Sequence, residues 1–303
     1  MKKILIIQAR PGIGDYCVFL PVIKKISTIF NDHKIHVITS KRSHARELIS
    51  YNDSINKIFY LPLLKKIKKN IWIYNLLKKE KYDQCFIFHY GLRFFLLSKL
   101  AGIKKVFFYG IQKKNENIVK KAQTFLKKSL NLKNLKLDLP FNLKKNKKKN
   151  QIILGIGGSG YDKKWKIDNF LKLGLKINKI KKVNFILAGG KKELNDANYL
   201  QKNFKKYMIK SKSLCNMKIK DTLAFLASSK LYIGNDTGFM HLSGCLGIKS
   251  YGIFGPTSTL YASYNKKIIP ISASKKKEDT KDKSNINFIS SDYVLRHINL
   301  KSI

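Results

Sequence analysis

A chain of 303 residues that is 44% hydrophobic has material for two cores of ordinary domain size. Its 62 lysines and arginines against 18 acids give a net charge of +44, a field that draws polyanions; lysine spread along a chain also rich in Asn and Ile fits codon bias equally, so charge alone assigns no function. Four widely separated cysteines (Cys17, Cys85, Cys215, Cys245) without a CxxC exclude a disulfide framework or a cysteine zinc site and suit a reducing compartment, and no apolar run is long enough to span a membrane.

In chain order, "KILIIQA" (3–9) predicts a first buried strand, its apolar core being too short for an export signal. "GIGDY" predicts a turn and "CVFLPVIKKISTIF" a helix. "KIHVITS", "INKIFYLP", "YDQCFIFHY" and "KKVFFYG" predict further strands, separated by the helical patterns "HARELIS", "IWIYNLLKKEK" and "FFLLSKLAG". Strict alternation of this kind predicts a parallel sheet covered on both faces. The run "NLKKNKKKNQ" then has no apolar periodicity and separates this half from a second series. There "QIILGIG", "KVNFILAGG", "KLYIGND" and "KSYGIFGPT" predict strands. "IDNFLKLGLKINK", "ELNDANYLQKNF", "IKDTLAFLASS" and "MHLSGCLG" predict helices, and "SDYVLRHINLKSI" ends the chain as a helix after the polar stretch 272–285. The expected architecture is therefore two doubly wound α/β domains. Ligands in such sheets bind beyond the carboxyl ends of the strands.

Three strand-to-helix turns carry more chemistry than a turn needs. In "ARPGIGDY", Asp15 falls at a helix start, where negative charge is favoured; it serves either as a cap or as a carboxylate able to take a proton from a hydroxyl. In "LGIGGSGYDKKWK", Gly155, Gly157 and Gly160 satisfy G-x-G-x-x-G, but the helix does not start at the third glycine and no acid ends the next strand, against a nicotinamide site. A loop carrying Ser159 beside Lys163 and Lys164 suits a phosphate instead. In "NDTGFMHL", the amides of Thr237 and Gly238 at a helix start make an anion site, with Asp236 and His241 beside it. Asn235 or Asp236 as a plain cap, and His241 as a packed core residue, are the competing readings there. One Asp-Thr-Gly on an α/β pattern excludes an aspartic protease, which needs two on an all-β fold.

Taken together, "ILIIQARPGIGDY", "GIGGSGYDKKW", "FILAGGKKEL" and "YIGNDTGFMHLSGCLGIKSYGIFGPT" resemble glycosyltransferase family 9, the ADP-heptose:lipopolysaccharide heptosyltransferases, in order and spacing. The resemblance implies a GT-B fold: an acceptor-binding Rossmann-like domain over 1–143, a linker at 144–150, a nucleotide-sugar-binding Rossmann-like domain over 151–288, and a helix in 289–303 returning to the first domain, with a cleft between the two. It implies an inverting transfer of heptose from ADP-heptose to a lipopolysaccharide core or related envelope glycan, with Asp15 as general base. Ser159 and Lys163 are then donor-phosphate contacts, Glu193 the ribose carboxylate, Asp236 the acid that holds the donor sugar, Thr237 and Gly238 the diphosphate turn, and His241 the histidine beside it. No cofactor and no metal are expected. The expected partners are the nucleotide-sugar donor, a lipid-linked glycan acceptor and an anionic inner-membrane surface, on a cytoplasmic protein peripheral to that membrane. A UDP-sugar donor is the nearest alternative. A nucleic-acid-binding role lacks the exposed aromatics interleaved with basic residues that it calls for. The segment 271–285 departs from the family, whose members often carry a cysteine there.

Overall fold

The protein is described by a computed structural model, which covers residues 2–49, 53–111, 117–141, 149–158, 160, 163–255, 258–272 and 286–300. The chain divides into two units, Met1–Asn142 and Leu143–Ile303. In the first, the apolar runs form β1 (Lys3–Gln8), β2 (Lys34–Thr39), β3 (Lys57–Tyr60), β4 (Gln84–Ile87) and β5 (Lys105–Phe108), all parallel in the order β3-β2-β1-β4-β5. The helices are α1 (Ile13–Ile29), α2 (Ala45–Leu48), α3 (Lys66–Glu80), α4 (Leu92–Leu100) and α5 (Ile118–Ser129). Ile4 to Ile7 are fully buried, as a strand covered on both faces requires. The strand order reverses direction between β1 and β4, so the turn after β1 opens at the sheet's switch point.

The second unit repeats the plan. Strands β6 (Gln151–Gly155), β7 (Asn184–Ala188), β8 (Ser211–Ser213), β9 (Leu231–Asn235), β10 (Lys249–Phe254) and β11 (Ile268–Ser272) lie parallel in the order β11-β10-β9-β6-β7-β8. Helices α6 (Ile167–Ile180), α7 (Leu194–Lys206), α8 (Ile219–Ser228), α9 (Gly238–Cys245) and α10 (Ser291–His297) complete it. Its core joins Leu154, Phe170, Phe185, Leu200 and Ile233 with Ile289, Val294 and Ile298. The switch point here falls between β6 and β9.

Several expectations need amending. Helix α1 begins at Ile13, so Asp15 is its third residue and "GIGDY" is only in part a turn. Helix α5, capped by Asn117 Oδ1 on the amides of Val119 and Lys120, and the edge strands β8 and β11 were not anticipated. Residues 144–148 of the expected linker lie outside the described residues. Lys149 and Asn150 already bond into the second unit, the Lys149 amide to Ser228 O at 2.8 Å and Asn150 Nδ2 to Lys182 O at 2.6 Å. The last helix, α10, packs on α6, and Ile289, Val294 and Ile298 are buried in the second unit's core.

Candidate active site

Three neighbouring strand ends of the second unit, β9, β6 and β7, bring the candidate donor residues together. Gly155 of β6 faces Gly234 of β9 in register. A Cβ on Gly234 would run into the Gly155 backbone, and one on Gly155 into the Tyr232 ring, so the two glycines let the strands close under a buried tyrosine. Burial pushes the Tyr232 phenol up, which keeps it a donor. It gives its proton to Asn235 O at 2.9 Å and lies 3.3 Å from Thr237 Oγ1.

Asn235, fully buried, ties the loop after β6 to the end of β9. Its Nδ2 donates to Gly157 O at 2.9 Å and Ile156 O at 3.3 Å, while its Oδ1 accepts from the Trp165 amide at 3.1 Å. Trp165 in turn donates from Nε1 to Ile289 O at 2.6 Å and sets its ring edge-on to Phe170. Neither Asn235 nor Asp236 caps α9; that position belongs to Thr237, whose side chain makes no capping bond. Among the described residues the amides of Gly238, Phe239 and Met240 have no acceptor, as a helix start leaves them, and the first helical bond is His241 N to Thr237 O at 3.3 Å. That end of α9 offers N–H groups and the positive end of a helix dipole to an anion.

Asp236 Oδ1 stands 3.4 Å from His241 Nε2, and His241 Nδ1 stands 2.9 Å from Tyr264 OH. A neutral ring satisfies both contacts if the phenol donates to Nδ1 and Nε2–H faces the carboxylate. Tyr264 stacks on the imidazole and Tyr261 meets it edge-on. His241 is therefore packed, and it orients Asp236.

Glu193, at the end of the 3-10 turn Lys191–Glu193 after β7, is buried. Its Oε2 accepts from the Gly190 amide at 2.8 Å and its Oε1 pairs with Lys164 Nζ. The carboxylate faces the loop after β6, since a Cβ on Gly157 would lie 3.6 Å from Oε2. Lys164, not singled out over Lys163 in the sequence, is the lysine that ties Glu193 to the glycine loop. Lys163 makes no ion pair with another described residue. Ser159 lies outside the described residues.

In the first unit Gly12 takes φ 97°, open to glycine, where a Cβ would also press on Asp15 Oδ2 at 3.3 Å. Asp15 Oδ1 accepts from Arg10 Nε at 3.2 Å, and its backbone carbonyl faces Gln8 Nε2 at 3.5 Å. The carboxylate is thus aimed by an arginine and a helix start while remaining partly exposed. At the end of the adjacent strand β4, His89 Nδ1 accepts from the Gly91 amide at 2.9 Å and the ring stacks on Tyr90. Burial, with Arg93 and Arg10 nearby, pushes His89 down to about 4, so at neutral pH its Nε2–H is a donor.

The sequence model of glycosyltransferase family 9 (heptosyltransferase) matches residues 96–288.

The chain belongs to glycosyltransferase family 9.

Lipooligosaccharide heptosyltransferase 2 of Campylobacter jejuni, a curated relative, is 36% identical over 197 residues, which is 60% of this chain. This family 9 chain spans 61% of that relative's length. Two solved structures share the fold at 16% identity. They are E. coli ADP-heptose LPS heptosyltransferase II (TM-score 0.75, covering 98% of this chain and 97% of that one) and E. coli heptosyltransferase WaaC with ADP-2-deoxy-2-fluoro heptose (TM-score 0.74, 97% and 98%). The fold is therefore GT-B, two Rossmann-like parallel-sheet units.

Proposed function

We propose that this family 9 chain transfers heptose from ADP-heptose to a lipid-linked envelope glycan of the lipopolysaccharide core type, with inversion. The observation that carries the reading is the amide end of α9 at the β6/β9 switch point, acceptor-free among the described residues, beside the Asp236–His241 pair. The names of the relatives favour heptose as the sugar, and the neighbour solved with an ADP-heptose analogue favours adenine as the base.

In this reading the diphosphate lies against the Gly238–Met240 amides with Thr237 beside it, and Lys163 and Ser159 add to its binding. Glu193, one strand further out, accepts from the ribose hydroxyls. Asp236 holds the sugar, kept in place by His241. Asp15 takes the proton of the acceptor hydroxyl as its oxygen attacks the anomeric carbon. The bond from that carbon to the diphosphate breaks, the electron pair stays on the phosphate oxygen, and ADP leaves. Charge therefore grows where fixed N–H groups already point. Donors of that kind are worth about 3–4 kcal/mol each in characterised sites, and no metal is required.

A donor panel tests this. ADP-heptose is expected to be turned over with a heptose-deficient lipopolysaccharide acceptor, and equally well in excess EDTA. Turnover of a UDP-sugar with none of ADP-heptose would move the assignment to another donor, and loss of activity in EDTA restored by a divalent ion would replace the metal-free step.

A further inference from the structure

Helices α3 and α4 lie side by side on one face of the first sheet, where Ile73, Leu77 and Phe94 enter a shared core. Apolar side chains are also exposed on their outer sides. Leu63, just before α3, and Ile67 and Ile71 in its first turns recur every four residues among lysines, and Leu92, Leu96 and Leu100 do so along α4. All six are exposed, Leu63 at 97%, Ile67 at 75% and Leu100 at 68%. Single exposed leucines are ordinary, but two adjacent stripes form a patch of a kind that marks an interaction site. The residues around it are basic. Segment 61–79 holds Lys65, Lys66, Lys68, Lys69, Lys78 and Lys79 with no acid, and segment 91–105 holds Arg93, Lys99, Lys104 and Lys105 with none.

We infer that this outer face of α3 and α4 docks on an anionic lipid bilayer. An apolar stripe rimmed by lysines is what an element lying in the headgroup plane needs: side chains that enter the acyl boundary and cations that meet phosphates. What favours a bilayer over a protein partner is the charge: lysines and arginines flank both stripes with no acid in either segment, which matches anionic headgroups. Among the described residues no helix is long and apolar enough to cross a membrane, so the contact is a surface one. The position also has a use. Leu63 follows the carboxyl end of β3 and Leu92 that of β4, the sheet edge from which the Gly12–Asp15 turn follows β1. Docking there holds that edge close to lipid, where a lipid-linked acceptor is met; this use, though not the docking, rests on the glycosyltransferase reading.

The test uses the full chain and vesicles of phosphatidylcholine with or without phosphatidylglycerol. Flotation is expected to show binding to the anionic vesicles, lowered roughly tenfold or more by Ile67→Glu with Leu96→Glu and about fivefold per charge by Lys65→Gln and Lys68→Gln. Because the whole chain is basic, a local reporter is needed. All four cysteines are buried, so an environment-sensitive dye on Leu96→Cys reads this face. The same dye on Thr28→Cys in α1 reads the other face of the sheet, where the right-handed β1-to-β2 crossover puts that helix. A blue shift at position 96 and none at 28 is the predicted result. No binding to anionic vesicles, equal shifts at both positions, or self-association in solution that Leu96→Glu abolishes while vesicle binding persists would each overturn the assignment. Binding of ADP-heptose, followed separately by calorimetry, is expected to be unchanged in every variant, so failure of the docking and failure of the donor reading are told apart.

Discussion

Asp15→Asn is expected to lower kcat by about 10²–10⁴-fold while leaving donor affinity unchanged. The substitution keeps the size of the side chain, its place in the first turn of α1 and an oxygen for Arg10 to meet. It removes the negative charge and with it the capacity to take a proton, leaving Arg10 a neutral acceptor in place of its ion pair. If Asp15 served solely to anchor Arg10 and the turn, the amide would largely replace it, and the loss would appear in KM for the acceptor with kcat preserved. Steady-state kinetics with each substrate varied in turn separates the two.

Asn235→Ala is expected to be the most damaging single change to the second unit. It leaves two buried carbonyls, Ile156 O and Gly157 O, and the Trp165 amide without their partner. An unsatisfied buried group costs about 1–3 kcal/mol. With some relaxation the loss should total about 3 kcal/mol, a drop in Tm on the order of 10 °C for a domain of this size. Because the same amide holds the glycine loop against β9, donor affinity should fall as well, even at temperatures where the variant remains folded. Calorimetric unfolding and a nucleotide titration on one preparation measure both. A stable variant with weakened binding would make Asn235 a binding residue alone, and a destabilised variant with intact affinity would mean that the loop does not hold the donor.

The central strands were legible because a parallel strand buried on both faces is an uninterrupted apolar run, and "ILII" and "LYIG" are such runs. The edges were not. Strand β8 is the polar triplet Ser211–Ser213, and β11 contains Pro270, which an edge strand tolerates but which argues against a strand in a sequence. Helix α5 did carry a signal, Asn117 followed by Ile118, Val119, Ala122 and Leu126 at helical spacing, hidden among lysines. At the site the glycines and Asp236–Thr237–Gly238 stood out because turns and anion sites restrict residue type. Asn235 and Lys164 act through partners dozens of residues away, and Tyr232 fills the space left by Gly155 on another strand, which spacing along one chain does not reveal. His89 is of the same kind, its properties set by burial and two arginines. Helix α10 shows the converse: its apolar positions were visible, but not which core they would enter.

The account stands on α9 receiving the donor's diphosphate, and a crystal structure with ADP-heptose bound tests it most directly. The prediction is phosphate oxygens about 3 Å from amides of Gly238, Phe239 or Met240, with the ribose hydroxyls at Glu193. A nucleotide seated instead at the β1/β4 edge of the first unit, or one that leaves those amides to water, would contradict it.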